Sequence, residues 1–223
     1  MKNDIQSYRN ISQHYNHLSE AVKWQKSSLG YFRDRTLAAA YSLIDSYLQT
    51  NKAAMLTDIG CGSGRYMLDA CERNLSYQGM DPSKIMLQHA AKLSPAACLC
   101  QAEITRLPLQ SETSDIVICM GLLEHLLQQT YMRAIKEISR IVKPGGLFVF
   151  DLRNKFNPFL WWQYRRESKD NYTLRTMTIQ EMKKSIESYG FKVRKMEYIP
   201  SFACILAPII VVSAEKKQER YII

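Results

Sequence analysis

From residue 55 onward, short apolar runs alternate with segments in which apolar residues recur every three or four positions. The apolar runs predict seven strands, at 55–59, 76–80, 97–101, 115–120, 147–151, 191–198 and 205–214. Strands that alternate with helices are typical of a mostly parallel sheet with helices on both faces. The pattern therefore predicts an α/β fold with three layers, α-β-α.

The N-terminal region carries a helical period instead. Apolar residues from Tyr8 to Leu18 lie three or four positions apart, and a second helix is predicted over 34–49. We therefore expect a helical cap over residues 1–52 and one larger domain over residues 53–223.

The strand predicted at 55–59 leads into a glycine-rich turn. Gly60, Gly62 and Gly64 follow Asp58 at alternate positions. Glycine lets a ligand approach the backbone where a Cβ would block it, and the N–H groups that begin the next helix face such a ligand. A strand, a glycine turn and a helix are together typical of a nucleotide-type cofactor site. A tight turn without a ligand is the alternative interpretation.

The spacing of the glycines separates cofactor classes. A dinucleotide fingerprint reads G-x-G-x-x-G, whereas Arg65 stands here where the third glycine would fall. Asp81 ends the strand at 76–80, where a carboxylate can accept hydrogen bonds from both ribose hydroxyls. The alternative role for Asp81 is a helix N-cap, but Ser83 can fill that position and leave Asp81 available to a ligand.

These motifs and three later ones resemble the class I S-adenosylmethionine (SAM) methyltransferases, in particular the methyltransferase type 11 and ubiquinone/menaquinone-biosynthesis families. The resemblance covers residues 53–152 well, and it implies a Rossmann-like, mostly parallel sheet of seven strands whose last strand is antiparallel. It also implies SAM as cofactor and S-adenosylhomocysteine (SAH) as product. The residues that would hold the cofactor at the first two strand ends are Asp58, Gly60, Cys61, Gly62, Gly64, Asp81 and Pro82.

Two further segments contact the cofactor by the same resemblance. Gln101–Leu109 is similar to the family segment G-D-A-x-x-L-P-F, which places Glu103 at the acidic position that receives the adenine amino group. Ile104 would supply the next N–H and an apolar wall. Glutamate replaces the usual aspartate at this position, so its longer side chain would shift the adenine or reach it through a water molecule. The alternative is that Glu103 is an exposed loop residue without a ligand. Met120 would lie beside the methionyl part of SAM.

Glu124 and His125 resemble the E-H segment of small-molecule methyltransferases, which implies that they begin a helix at the mouth of the cleft. His125 could there deprotonate a hydroxyl acceptor, since its unperturbed pKa is about 6.5. A histidine that caps the helix or supports another side chain is the alternative. Ile141–Asp151 resembles the family element L-K-P-G-G, and it predicts a Pro-Gly-Gly turn ahead of the strand at 147–151.

Two segments outside this region are candidates for contact with ligands. The N-terminal helix resembles the A-x-x-Y-D helix that folds over SAM in related enzymes, so Tyr15 is either a lid residue or a core residue. Residues 153–177 are predicted to form an insertion that faces the acceptor. Its aromatic side chains, including Trp161 and Trp162, could wall an aromatic or prenylated acceptor, touch a membrane interface, or cap the sheet.

Charge and cysteine usage add broad constraints. The net charge is +9, yet residues 53–150 carry nine basic and nine acidic side chains, so the excess lies in the flanks. It could attract an anionic acceptor, RNA or a membrane surface, or form a solvated basic surface. The six cysteines lack metal-ligand spacing, so no metal site is predicted and buried, reduced thiols are expected. No secretory signal or bilayer span is apparent, which favours a cytoplasmic protein without a transmembrane segment.

We therefore predict a SAM-dependent methyltransferase for a small-molecule acceptor, such as a phenolic, quinone-like or lipid intermediate, with O-methylation favoured. Transfer to RNA is the second hypothesis, because the flanks are basic and Gly64-Arg-Tyr66 resembles the loop of some tRNA wobble-uridine methyltransferases. No RNA-binding module is recognised, however. A SAM-binding protein without transferase activity is the third hypothesis. No catalytic triad is expected, because the sulfonium already activates the methyl group.

Overall fold

The computed structural model describes residues 28–52, 55–160, 162, 175–201 and 206–218. The helices are α1 (Ser28–Leu48), α2 (Met67–Glu72), α3 (Lys84–Leu93), α4 (Gln128–Ile141) and α5 (Ile179–Glu187). The strands are β1 (Met55–Ile59), β2 (Ser76–Asp81), β3 (Cys98–Gln101), β4 (Ser114–Cys119), β5 (Val142–Arg153), β6 (Phe191–Ile199) and β7 (Ile209–Lys216). Each of the seven predicted strands is present, and the largest differences in boundaries are at β5 and β7.

The seven strands form one sheet in the order β3-β2-β1-β4-β5-β7-β6. β1 to β5 run parallel to one another, whereas β7 runs antiparallel between β5 and β6. This confirms the predicted Rossmann-like fold with an antiparallel last strand. The strand order reverses between β1 and β4, and ligands of open α/β sheets bind beyond the carboxyl ends of the strands at such a point.

Alternating side chains of the sheet supply two apolar cores, one on each face. In β4, Ile116 and Ile118 belong to one core, while Val117 and Cys119 belong to the other. α1 and α2 cover the first face, and α4 and α5 cover the second. Helices on both faces complete the predicted three layers and leave the carboxyl edge of the sheet for a site.

The periodic segments fold as helices because one side of each is apolar. In α4 the buried residues recur at spacings of one, three and four: Thr130, Tyr131, Ala134, Ile135, Ile138 and Ile141. α5 begins with a capping box in which Thr178 and Glu181 satisfy each other's backbone N–H groups.

The Pro-Gly-Gly element lies inside β5, so the predicted turn ahead of that strand is wrong. The pairing register with β4 shifts between Ser114 and Ile116, opposite residues 143–146. Gly145 takes a positive φ of 77° at this irregularity. The glycines thus form a bulge, and pairing with β4 continues on both sides of it.

The cysteines differ partly from the expectation of buried thiols. Cys61 and Cys119 are buried, but Cys71 and Cys98 are exposed and Cys100 is half-buried. Cys71 lies on the outer side of the short α2, and the other two lie on the edge strand β3, which has a neighbour on one side. These five cysteines, which are those in the described ranges, are free thiols, and Cys204 lies outside the described residues.

α1 is the described part of the predicted N-terminal cap. It contacts β5, β6 and β7 and contributes Tyr41 and Ile44 to the core, so it forms part of a layer of the sandwich. The division of the chain at residue 52 stays a prediction. No helix in the described ranges is long and apolar enough to cross a membrane.

Candidate functional site

β1 ends in a turn whose three glycines all adopt the left-handed conformation. φ is 76° at Gly60, 53° at Gly62 and 85° at Gly64, a region that other residues rarely occupy. A Cβ on Gly60 would lie 2.8 Å from the Leu122 side chain, whereas a Cβ on Gly62 would have no neighbour within 4 Å. Gly60 therefore serves close packing, and Gly62 borders open space at the carboxyl end of β1.

Asp81 ends β2 directly beside this turn. Its carboxylate accepts hydrogen bonds from the N–H groups of Gly62 (2.9 Å) and Ser83 (2.8 Å). The Ser83 hydroxyl caps α3 by accepting from the N–H of Met86, as predicted. Burial raises the pKa of Asp81, and the two N–H groups oppose the rise. Because a carboxylate can accept about four hydrogen bonds, roughly two positions are left for a ligand. Pro82, which directly follows Asp81, is half-buried.

Asp58 lies beneath the glycine turn. It is 1% exposed, and its carboxylate accepts a hydrogen bond of 2.8 Å from the Tyr77 hydroxyl. Burial raises the pKa of Asp58 to about 7, although the Tyr77 hydroxyl opposes the rise. The Cys61 thiol is buried in the same place. These two side chains therefore support the turn from inside the fold, and their role in holding the cofactor stays a prediction.

In the segment after β3, the two residues predicted to contact the adenine differ in their exposure to solvent. Ile104 is 1% exposed and packs in the core, whereas Glu103 is exposed and its backbone pairs with Arg106. The N–H of Ala102 donates to the Asp81 carbonyl (3.3 Å), which places this segment beside the end of β2. Glu103 thus lies at the rim of the cleft, with its carboxylate facing solvent.

A buried ion network joins the turns that follow β4 and β5. Arg153 donates to Asp151 (2.8 Å) and to Glu124 (2.7 Å). Asp151 also accepts from the N–H of Gly121 (2.7 Å), which has a φ of 69° and directly follows the half-buried Met120. The network therefore fixes the turn after Met120 to the end of β5.

Charges within this network decide the ionisation of its carboxyl groups. Burial raises the pKa of Asp151, with the Arg153 guanidinium opposing the rise. Burial also disfavours the charged form of Glu124, but Arg153 and His125 outweigh it and lower the pKa. Asp151 and Arg153 were not among the functional residues predicted from the sequence. The signal that could have identified them is a pair of opposite charges at alternate positions of a buried strand, because alternate side chains lie on the same face of a strand.

Glu124 and His125 do not begin a helix, so that prediction is wrong. They lie in a 3₁₀ turn, Leu123–His125, and α4 begins at Gln128. The turn is buried because Leu123 and Leu126 pack into the core around it, and both polar residues are 6% exposed. The Nε2 atom of His125 lies 3.8 Å from Oε1 of Glu124. His125 therefore lies inside the fold, beyond the end of β4, and not at an open mouth.

A narrow cavity adjoins the ion network. Its lining is mixed, with apolar side chains around several charged ones: Leu123, Glu124, Tyr131, Phe150, Asp151, Leu152, Arg153, Arg175, Met177 and Met182. The Arg175 guanidinium lies 4.5 Å from the Tyr131 ring centroid. Glu124 Oε2 and Arg175 Nη1 are buried without a hydrogen-bond partner among the described residues. Because such atoms are costly, the cavity suits a group that both donates and accepts.

The remaining candidate residues lie at or beyond the limits of the described ranges. Tyr15 and Trp161 fall outside them. Trp162 is 52% exposed, and Phe156 and Phe159 are 63% and 62% exposed. Within the described ranges, no group of histidine, cysteine, aspartate and glutamate residues could hold a metal ion.

Comparison with known proteins agrees with this geometry. Residues 57–150, which contain the glycine turn, Asp81 and the turn after β4, match the family model of a methyltransferase domain. The chain carries a SAM-dependent methyltransferase domain. It is 29% identical over 60% of its length to the probable tRNA methyltransferase 9B of Homo sapiens, of which it spans 30%.

The chain is also similar to one further curated methyltransferase and to one solved methyltransferase structure. The chain is 36% identical over 52% of its length to a ubiquinone/menaquinone biosynthesis C-methyltransferase of Syntrophotalea carbinolica, and it spans 52% of that protein. It thus spans from about a third to about half of these two curated relatives. The 1,6-didemethyltoxoflavin-N1-methyltransferase of Burkholderia thailandensis, solved with bound SAH, shares the fold, with a TM-score of 0.73 and 13% sequence identity. The superposition covers 96% of this chain and 91% of that protein.

The residues at the glycine turn fit SAM, the cofactor of this domain. Gly62 borders open space, and Asp81 has unused acceptor positions for hydroxyl groups. Nε of Arg65 and the hydroxyl of Tyr66 are buried without a hydrogen-bond partner among the described residues. A ligand with both hydroxyl and ionised groups would satisfy all of these atoms.

Proposed function

We propose that this methyltransferase acts on a small-molecule acceptor that has an aromatic or prenyl part, with an oxygen atom as the preferred methylation site. The observation that carries the proposal is a group of exposed aromatic side chains directly after β5: Phe156, Phe159 and Trp162. The rings of Phe159 and Trp162 lie 6.3 Å apart. They follow the carboxyl edge of the sheet, where ligands of open α/β folds bind, so an apolar acceptor could cover them.

The partnerless atoms beside the ion network support an acceptor with a hydroxyl group. Glu124 and Arg175 offer one acceptor and one donor, and a hydroxyl group can serve both. The cavity between them has a volume of about 10 Å³, which is room for no more than one water molecule. An acceptor would therefore lie over this cavity and not inside it.

The cofactor residues are assigned from the positions of the three strand ends. We assign the ribose hydroxyls to Asp81, the adenine to the rim formed by Glu103 and Ile104, and the methionyl part to the turn after Met120. The unused acceptor positions of Asp81 and the open space at Gly62 support this order. Tyr15 stays a prediction as a lid residue.

Bound SAM supplies an electrophilic methyl group on a positively charged sulfur. The protein must hold the acceptor in line with that group and exclude water. The turn at Gly121 is well suited to this, because its N–H is fixed by Asp151, which Arg153 holds in turn. For a hydroxyl acceptor a base must remove a proton, and we assign that role to His125. Glu124, at 3.8 Å, would stabilise the imidazolium that forms.

The test is turnover with a panel of phenols, quinols and prenylated phenols, followed by SAH release and the mass of the product. We expect O-methylation of at least one apolar phenol. Trp162→Ala should raise KM for that acceptor, whereas Leu93→Ala, a matched exposed residue at the far end of α3, should not. His125→Gln should remove the pH dependence of kcat that the proton transfer causes. Tight SAM binding without turnover on any acceptor would favour a non-catalytic SAM-binding protein.

RNA is the second candidate acceptor, favoured by the likeness to the probable tRNA methyltransferase 9B and by exposed cations on α5 and β6. Those cations are Lys184, Lys192, Arg194 and Lys195. Binding through them would release counterions from the RNA, so affinity should fall steeply with salt. Labelled SAM and a bulk tRNA fraction test this directly, since methyl transfer to tRNA but to no phenol would replace the first proposal.

A further inference from the structure

We infer that the guanidinium of Arg175 binds a carboxylate of the methyl acceptor, so that the acceptor carries an acid group as well as its hydroxyl. This inference deepens the proposed function and rests on it. Arg175 lies in the segment 153–177, which was predicted to face the acceptor. Its N–H donates a hydrogen bond of 2.7 Å to the Glu124 carbonyl, and the N–H of Met177 donates to the Arg153 carbonyl (2.9 Å). These bonds place Arg175 between the turn after β4 and the end of β5, at the carboxyl edge of the sheet.

The Arg175 side chain carries a charge that no described residue neutralises by direct contact. Its guanidinium lies 4.5 Å from the Tyr131 ring centroid, which contributes a cation–π interaction. Its Nη1 atom is buried without a hydrogen-bond partner, and the side chain forms no ion pair within the described ranges. Burial lowers the pKa of Arg175, yet an arginine stays protonated in proteins. Because a partly buried charge without a partner is costly, the position suits an anionic ligand.

The neighbouring cations of this edge are already paired. Arg153 is bound by two carboxylates, and Lys155 pairs with Glu181 at 3.1 Å. Glu181 is also the carboxylate whose charge acts on Arg175, but it is exposed and takes part in the capping box of α5. Of these three cations, Arg175 alone therefore remains available to a ligand.

The geometry of a single guanidinium favours a carboxylate as its partner. A planar guanidinium binds a carboxylate through two parallel, charge-assisted hydrogen bonds. Arginine has five N–H donors, so Nη1 of Arg175 can meet the hydroxyl of the acceptor while other donors bind its acid group. The side chain is half-buried, and the cavity beneath it holds no more than one water molecule. The acid group would therefore bind at the rim of the cavity, beside the hydroxyl that is methylated.

The test compares the three isomeric hydroxybenzoates with the corresponding hydroxybenzamides, which have nearly the same shape but no charge. Methyl transfer to the hydroxyl is measured with labelled SAM. We expect the wild type to prefer at least one acid over its amide by at least about tenfold in kcat/KM, because hydrogen bonds to charged groups are the stronger ones. Arg175→Met should remove this preference through a higher KM for the acid, and it should leave kcat/KM for the amide within about twofold. Arg175→Lys keeps the charge without the planar fork, so we expect an intermediate preference.

A matched control separates recognition by Arg175 from a general effect of charge. Lys136→Met removes an exposed cation from α4, the helix that carries Tyr131, and it should keep the preference of the wild type. Equal turnover of acids and amides by the wild type, or an equal loss for both in Arg175→Met, would overturn the inference while the proposed function stands. If no phenol, acidic or neutral, accepted a methyl group, the proposed function would fall and this inference with it.

Discussion

The two halves of the carboxyl edge of this sheet are built in different ways. At the ends of β1 and β2, a carboxylate is held by backbone N–H groups, and glycines with positive φ shape the space around it. At the ends of β4 and β5, the turns are held by an ion network between side chains, with Arg153 at its centre. The first half depends on backbone conformation and the second on buried charge.

This difference separates binding from stability. A change in the first half removes a ligand contact or narrows the ligand's space, and it leaves few buried charges unpaired. A change in the second half leaves carboxylates in an apolar surrounding without their cation, which destabilises the fold itself. Substitutions at the β1 and β2 ends should therefore act on cofactor affinity, and those at the β5 end on the free energy of unfolding.

The largest effect is expected for Arg153→Met. The substitution leaves Asp151 and Glu124 buried without their guanidinium, and breaking such a buried pair costs about 3–5 kcal/mol. Chemical denaturation measures the loss. Arg194→Met, which breaks an exposed pair with Glu215, should cost about 0–1 kcal/mol. Equal losses in the two variants would show that the network contributes no more than a surface ion pair.

A pair of glycine substitutions gives the next largest effect. Gly62 and Gly190 both have positive φ, 53° and 84°, and a Cβ on either would have no neighbour within 4 Å. Alanine at each position should therefore cost a similar amount of stability, about 1–2 kcal/mol of backbone strain. SAH affinity should fall in Gly62→Ala alone, by about tenfold, because its methyl group would enter the space of the cofactor. A similar affinity loss in Gly190→Ala would contradict this.

A pH dependence of stability is expected from Asp58. Its pKa is about 7 in the folded protein and about 3.9 when unfolded, so between these values the folded state binds more protons. Its contribution to stability is therefore full below pH 4 and is lost as the pH rises through 7. Asp58→Asn keeps a partner for Tyr77 and should flatten the fall of Tm between pH 5 and 7. An unchanged slope would show that Asp58 is already ionised there.

The strand pattern and the glycine turn could be predicted because they are local. Alternating apolar runs identified the strands, and the position of Ser83 beside Asp81 was enough to separate the cap from the candidate ligand group. The ion network could not be predicted in this way, because Glu124 and Arg153 are far apart in sequence and meet only through the pairing of β4 and β5. The 3₁₀ turn at His125 likewise depends on packing by leucines on either side, which overrides the helical start that the motif suggested.

The central claim is that the ends of β1 and β2 hold the methyl donor, and calorimetric titration of SAM and SAH tests it most directly. We expect both ligands to bind the wild type, and Asp81→Asn to weaken both by roughly 10–100-fold, since a hydrogen bond to a charged group is worth about 1.5–3 kcal/mol. Asp34→Asn, an exposed acidic position on α1, should bind like the wild type. Wild-type affinity in Asp81→Asn, or no binding by the wild-type protein, would contradict the account.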